Sequence, residues 1–284
     1  MQRAFKRDPL SVGGPGFTAL FGLALAAAGI VTGLVLEGGH VADVCQISAA
    51  IIVFGGTIGA LLLTAPPAAL RSAAGNLKAA FLAPEPCSLP ERSEKILAYA
   101  YQAYRKGILS LEEAIAEIDD PFFRKALTLA IDGAEPETIR RMMELEMNQQ
   151  AAAGDADAAI FESAGGYAPT LGIVGAVIGL IQVMRHFDNL SQVGSGIAVA
   201  FVATIYGVGA ANLLFLPIAQ RIRFLSERSY RLNQLTIEGV ITIAQKLNPR
   251  MTRLQTQAFL PAAGSVARPA TIPLRAPAAV RAAS

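Results

Sequence analysis

Four long stretches without a charged residue dominate this sequence, and they constrain what it can fold into more than anything else. They cover residues 17–36, 45–65 (CQISAAIIVFGGTIGALLLTA), 166–184 (GYAPTLGIVGAVIGLIQVM) and 194–219 (GSGIAVAFVATIYGVGAANLLFLPIA). Crossing about 30 Å of hydrocarbon takes roughly 20 apolar residues as a helix, so each stretch is a span. The first is too long for the apolar core of a cleaved signal peptide, about 7–15 residues, and is expected to be retained. Composition agrees: the chain is 53% hydrophobic and 16% charged, against roughly 25% charged in an average soluble domain.

The charges around the spans set the orientation. Arg3, Lys6 and Arg7 precede span one, and Arg221, Arg223, Arg228 and Arg231 follow span four. The loop between spans one and two holds Glu37, His40 and Asp43 but no Lys or Arg, and the loop after span three is neutral. Lys and Arg stay on the cytoplasmic side. Both termini are therefore expected in the cytoplasm of a multi-pass protein, with the two short loops outside.

Between spans two and three, residues 66–160 carry ten Lys/Arg and fifteen Asp/Glu, with helical rather than strand periodicity. The expected helices are 92–105, 110–117, 121–131 and 136–150, punctuated by Gly107 and the Pro-Glu-Pro run at 84–86. Glu113 stands three residues after Ser110, a capping-box spacing. Residues 224–246 read as an amphipathic continuation of span four. The Ala/Pro-rich stretch from 261 to 284 has the composition of a disordered, dispensable tail. The expected fold is all-α: a polytopic membrane protein with four transmembrane helices and a helical cytoplasmic domain inserted between spans two and three. Its segments are 1–65, with spans one and two; 66–160, the cytoplasmic helical domain; 161–220, with spans three and four; 221–260, a cytoplasmic helical extension; and 261–284, the tail.

Several function classes drop out. A net charge of +2 and no Trp do not suit a nucleic-acid binder. Two cysteines, Cys45 and Cys87, and two histidines make neither a disulfide scaffold nor a zinc site, and no other metal or cofactor is expected. No HExxH, GxSxG or P-loop supports a membrane enzyme.

The spans themselves contain no Asp, Glu, Lys, Arg or His. Ion-moving proteins place ionisable groups at membrane depth, so if this chain moves ions, another chain must supply the carboxylate. Thr204 and Tyr206, lying within a run of small residues, are the polar candidates for the ion pathway and its coupling. Gly172, Gly175 and Gly179 share one face of span three, and small faces let helices approach closely; that face suits bundle packing or a partner helix. Pro169 is expected to open span three, in a first helical turn where its missing N–H is harmless. Pro217 must break a hydrogen bond late in span four. Both suit either a helix boundary and a kink, or a hinge.

These residues resemble the MotA/PomA family of flagellar stator subunits. The matching motifs are VFGGTIGALLL (53–63), GILSLEE (107–113), GGYAPTLGIVGAVIGLI (165–181), GIAVAFVATIYGVGAANLLFLPIA (196–219) and EGVITIAQKLNPR (238–250), and the likeness runs over most of 14–260. The related ExbB/TolQ energisers of outer-membrane processes share the last two spans but have three in all, so four spans favour the stator. The resemblance implies an inner-membrane homopentamer around two copies of a MotB-like single-span partner, which supplies the ion-binding aspartate and anchors to peptidoglycan. Ion flow then generates torque on the rotor protein FliG.

Carried over residue by residue, Pro169 and Pro217 match the family prolines that couple ion passage to conformational change, and Thr204 the threonine near the partner's aspartate. Ala176 stands where sodium-driven members carry threonine, which implies proton rather than sodium coupling. The family's rotor-contacting arginine and glutamate are eight residues apart. Aligning on GILSLEE puts the glutamate at Glu112 and Tyr104 at the arginine position, with Arg105 beside it. The rotor-contact candidates are Arg105, Lys106, Glu112 and Glu113.

Overall fold

A computed structural model describes residues 15–82 and 87–260; the basic residues before span one, the Pro-Glu-Pro run and the 261–284 tail lie outside them. The described residues are helical, with no strand among them. Helix α1 covers Pro15–Leu36, and a short 3-10 turn, Val41–Val44, leads into the second apolar helix. That helix is built from α2 (Ile47–Ala50), a π-helical segment (Ile51–Gly55) and α3 (Gly56–Thr64). Next come α4 (Pro67–Leu82), α5 (Leu89–Lys106), a 3-10 turn (Ile108–Leu111), α6 (Glu112–Ile115) and α7 (Pro121–Ile131). Three long elements close the chain: α8 (Pro136–Arg185), then α9 (Leu190–Gly209) joined through π-helical Ala210–Phe215 to α10 (Leu216–Ala244), and finally α11 (Pro249–Gln257).

Three stretches are long and apolar enough to cross a membrane: Val41–Thr64, Pro136–Arg185 and Gln192–Ala244. The first expected span stands as a shorter apolar helix over its described side chains, Phe21–Leu36.

Local chemistry explains where the polar helices begin. Asp120 accepts from the N–H groups of Phe122 and Phe123 ahead of Pro121, and Asn248 accepts from Arg250 ahead of Pro249. In each case a capping side chain satisfies free N–H groups, while proline takes a first-turn position that needs no donor. Ser88 likewise caps α5 at Glu91. Gly107 ends α5 with φ +86, a conformation that glycine adopts without a Cβ penalty.

Three local expectations are corrected. Ser110 makes no capping box: its hydroxyl donates to the Gly107 carbonyl, and residues 108–115 form a 3-10 turn followed by a single α turn. Helix 136–150 and span three are not separate, since α8 runs for 50 residues without a break. Pro169 therefore lies inside a helix and opens nothing.

Two cores result. One is lined with large side chains: Ile96 of α5, Phe122, Phe123 and Leu127 of α7, Ile139 and Met143 of α8, and Leu235 and Val240 of α10. The other is made of small residues: Ala49, Val53, Ala168, Val202, Ala203, Ala210 and Ala211. The difference is physical. Side chains drive packing in water by burying area, whereas among lipid chains close backbone approach must do that work.

Candidate ion-pathway and coupling site

The glycine face of span three is spent within the chain. A Cβ on Gly172 would lie 2.9 Å from the carbonyl oxygen of Ala203 and 3.4 Å from the Cα of Thr204. On Gly175 it would meet the Cβ of Ala203 at 2.6 Å, and on Gly179 the carbonyl of Gly196 at 2.7 Å. Spans three and four thus meet backbone to backbone, and a side chain on either face would wedge them apart.

Pro169 sits at this crossing. It cannot donate to the carbonyl of Gly165, and its own Cα lies 3.2 Å from where a Cβ on Gly207 would stand. One turn earlier, a Cβ on Gly165 would meet Leu216 at 2.7 Å. Leu216 directly precedes Pro217, which lies about 15 Å beyond Gly207 along the helix at 1.5 Å per residue. Pro217 is exposed and follows the π-helical segment Ala210–Phe215. The wider turns of that segment change the donor pattern ahead of the proline, and Asn212 Nδ2 donates to the Val208 carbonyl at 2.9 Å. A π segment of this kind inside an α-helix often marks a functional site.

Thr204 is half-buried, and its hydroxyl donates to Ala200 of its own helix at 3.2 Å. Ala176 is half-buried one turn beyond Gly172. The structure therefore brings Pro169, Gly172, Thr204 and Gly207 to one crossing with Ala176 next to it. Tyr206 points elsewhere: its Oη donates to the Val44 carbonyl at 2.6 Å and accepts from the Gln46 N–H at 3.3 Å.

Arg105, Lys106, Glu112 and Glu113 are all exposed, and none joins an ion pair among the described residues. They flank the left-handed Gly107, where Gln102 Nε2 donates to the Ser110 carbonyl at 2.6 Å and holds the turn against α5. Tyr104, beside them, is 58% exposed. Among the described residues, no group of three or more His, Cys, Asp or Glu gathers as a metal site.

Sequence reasoning missed the ion pairs that join the long helices. Arg223 of α10 forks onto Glu162 of α8, with Nη2 to Oε2 at 2.8 Å. Arg140 of α8 forks onto Glu238 of α10, with Nη2 to Oε2 at 3.1 Å, and the hydrogen bond from that carboxylate pushes the guanidinium pKa up. Arg92 is buried, bonded to Asp120 and to Thr236 Oγ1 at 3.3 Å, and stacked 4.7 Å over the Phe123 ring. Only Asp120 carried a local signal, its place before Pro121; the others pair residues up to 144 positions apart.

Comparison with known proteins decides the family. Residues 114–234 match the MotA/TolQ/ExbB proton channel family, and residues 20–107 match the motility protein A N-terminal family. Motility protein A of Bacillus subtilis (strain 168) is 34% identical over 245 residues, covering 86% of this chain and 91% of that protein. The chain belongs to the motility protein A family. It is a stator channel subunit of the flagellar motor and a multi-pass membrane protein. Among solved structures, C. jejuni MotAB matches with a TM-score of 0.81 at 29% identity, covering 86% of this chain and 96% of that one. The flagellar MotAB stator complex from Bacillus subtilis matches with a TM-score of 0.80 at 33% identity, over 86% and 95%. The match over residues 20–107 is to a motility protein A model in its own right, which favours the stator over an ExbB/TolQ-like energiser.

Proposed function

We propose that this member of the family couples inward proton flow to rotation of the flagellar rotor. The observation that carries the reading is the one missing group: no Asp, Glu, Lys, Arg or His occurs in the four apolar stretches, while a glycine-lined crossing holds Thr204 and Pro169 together. A pathway with a hydroxyl and free carbonyls but no titrating group requires a partner's carboxylate. A single-span MotB-like subunit supplies it, as the MotAB composition of the similar structures suggests.

In this reading α1 is span one and crosses the membrane like the other three, since its 22 residues give about 33 Å at 1.5 Å per residue. The protein lies in the bacterial inner membrane with both termini and the helices of residues 66–160 in the cytoplasm, as the Lys/Arg distribution favours. Five copies surround two copies of the partner. Ala176 offers no hydroxyl to a partly dehydrated sodium ion, so the coupling ion is the proton. Pro169 and Pro217, each of which removes a donor from its helix, form the hinge between ion passage and the cytoplasmic helices. Arg105, Lys106, Glu112 and Glu113 present unpaired charge to the rotor protein FliG, where rim charges orient a partner more than they bind it.

The test is the swimming speed of a strain that uses this stator alone. Replacing sodium by potassium is expected to leave speed unchanged, and a protonophore to abolish it. Speed that follows sodium would overturn the ion assignment.

A further inference from the structure

Tyr206 joins two parts of the chain that lie 162 positions apart. Its ring lies 6.3 Å from Phe54 in the π-helical segment of span two, and its Oη reaches the backbone just ahead of α2. The junction there is irregular: Gln46 is extended and makes no side-chain cap of its own. Backbone groups at the start of a span need partners, and the Tyr206 hydroxyl serves both Val44 and Gln46. Its single proton is donated to the Val44 carbonyl at 2.6 Å. The next residue, Gly207, is locked against Ala168 and Pro169.

We infer that Tyr206 is a positioning residue for torque generation rather than part of the ion path: its phenol ties the start of span two to span four, so that displacement at the Pro169–Gly207 crossing carries span two with it. The inference rests on the stator reading above. It assigns span two, whose Ile52 lies beside the glycine face of span three, a part in the moving body.

The Gln46 amide donates to the Tyr206 hydroxyl, so its exchange with deuterated solvent reports on the junction. The experiment uses the full-length protein with its single-span partner. Tyr206→Phe keeps the ring and removes the hydroxyl. Deuterium exchange of the Gln46 amide in isolated membranes is expected to become about fivefold faster, the factor that loss of one net hydrogen bond gives an opening equilibrium. In cells whose motors are rebuilt unit by unit, each speed increment is expected to be smaller than the wild-type increment, while the number of increments is retained. A purely stabilising bond would do the reverse.

Unchanged exchange of the Gln46 amide overturns the inference. So do full-height increments in smaller number, or failure of Tyr206→Phe to accumulate in the membrane, each of which leaves only a structural bond. If the wild-type protein itself gave no increments, the stator reading would fall, while the exchange would still decide whether Tyr206 anchors the junction.

Discussion

The carbonyl oxygen of Ala168 lies 2.6 Å from the position a Cβ would take on Gly207. The atom in the way is backbone, so no rotamer change relieves the clash. Gly207→Ala is expected to force spans three and four apart at a cost of about 1–3 kcal/mol, the usual range for overpacking. Gly209, two residues on, faces open space, and Gly209→Ala should be neutral or slightly stabilising, since alanine is the better helix former. Melting of the purified complex and swimming of the two variants separate the cases. Equal behaviour would mean that the crossing is looser than it stands here.

Pro169 interrupts the hydrogen-bond ladder of a 50-residue helix, and a proline inside a helix costs about 3 kcal/mol relative to alanine. A residue that weakens its own helix in this way suits a hinge. Pro169→Ala and Pro217→Ala are expected to insert normally and to melt at the wild-type temperature or above it, yet to swim slowly. Normal swimming in both variants would remove the hinge role.

The buried Arg92 has its guanidinium against Asp120 and Thr236. Removing one partner of a buried pair costs about 3–5 kcal/mol because the other charge is left uncompensated. Asp120→Ala also loses the cap of α7, worth about 1 kcal/mol. Both Arg92→Ala and Asp120→Ala should lower the melting temperature and the steady-state amount of protein. Motility would be lost through abundance, and stronger expression should restore part of it.

The rotor-contact candidates are expected to behave in the opposite way. Arg105, Lys106, Glu112 and Glu113 are exposed and unpaired among the described residues, so reversing any one should change stability by no more than about 0.5 kcal/mol. Swimming should nevertheless fall, and a reversal of opposite sign on the rotor face should recover it. Full motility after reversing all four together would mean that the charges are merely solvated.

Much of this architecture was legible in the chain. Residues 121–131 were expected as a helix and form one with those bounds, because Asp120-Pro121 and Gly133 are local start and stop signals. The continuation of span four into α10 was also readable, since apolar periodicity persists past residue 224. By contrast, α8 looked like two helices because its composition changes from polar to apolar near residue 160. The backbone ladder does not respond to that change. The 108–115 turn was misread because a capping-box spacing at Ser110 says nothing about the left-handed Gly107 before it.

The sequence by itself determined which segments are apolar and where the charges between them lie. Hydrophobicity and Lys/Arg placement act one residue at a time, so the apolar stretches, their small-residue faces and the family motifs can be read in order along the chain. Only the tertiary structure decided which backbone meets which. The locking of Gly207 against Ala168, the forks from Arg223 to Glu162 and from Arg140 to Glu238, and the reach of Tyr206 to Val44 each join residues tens to more than a hundred positions apart. Such contacts depend on the register of one long helix against another, which is set by the fit of whole faces and which no local window of sequence contains.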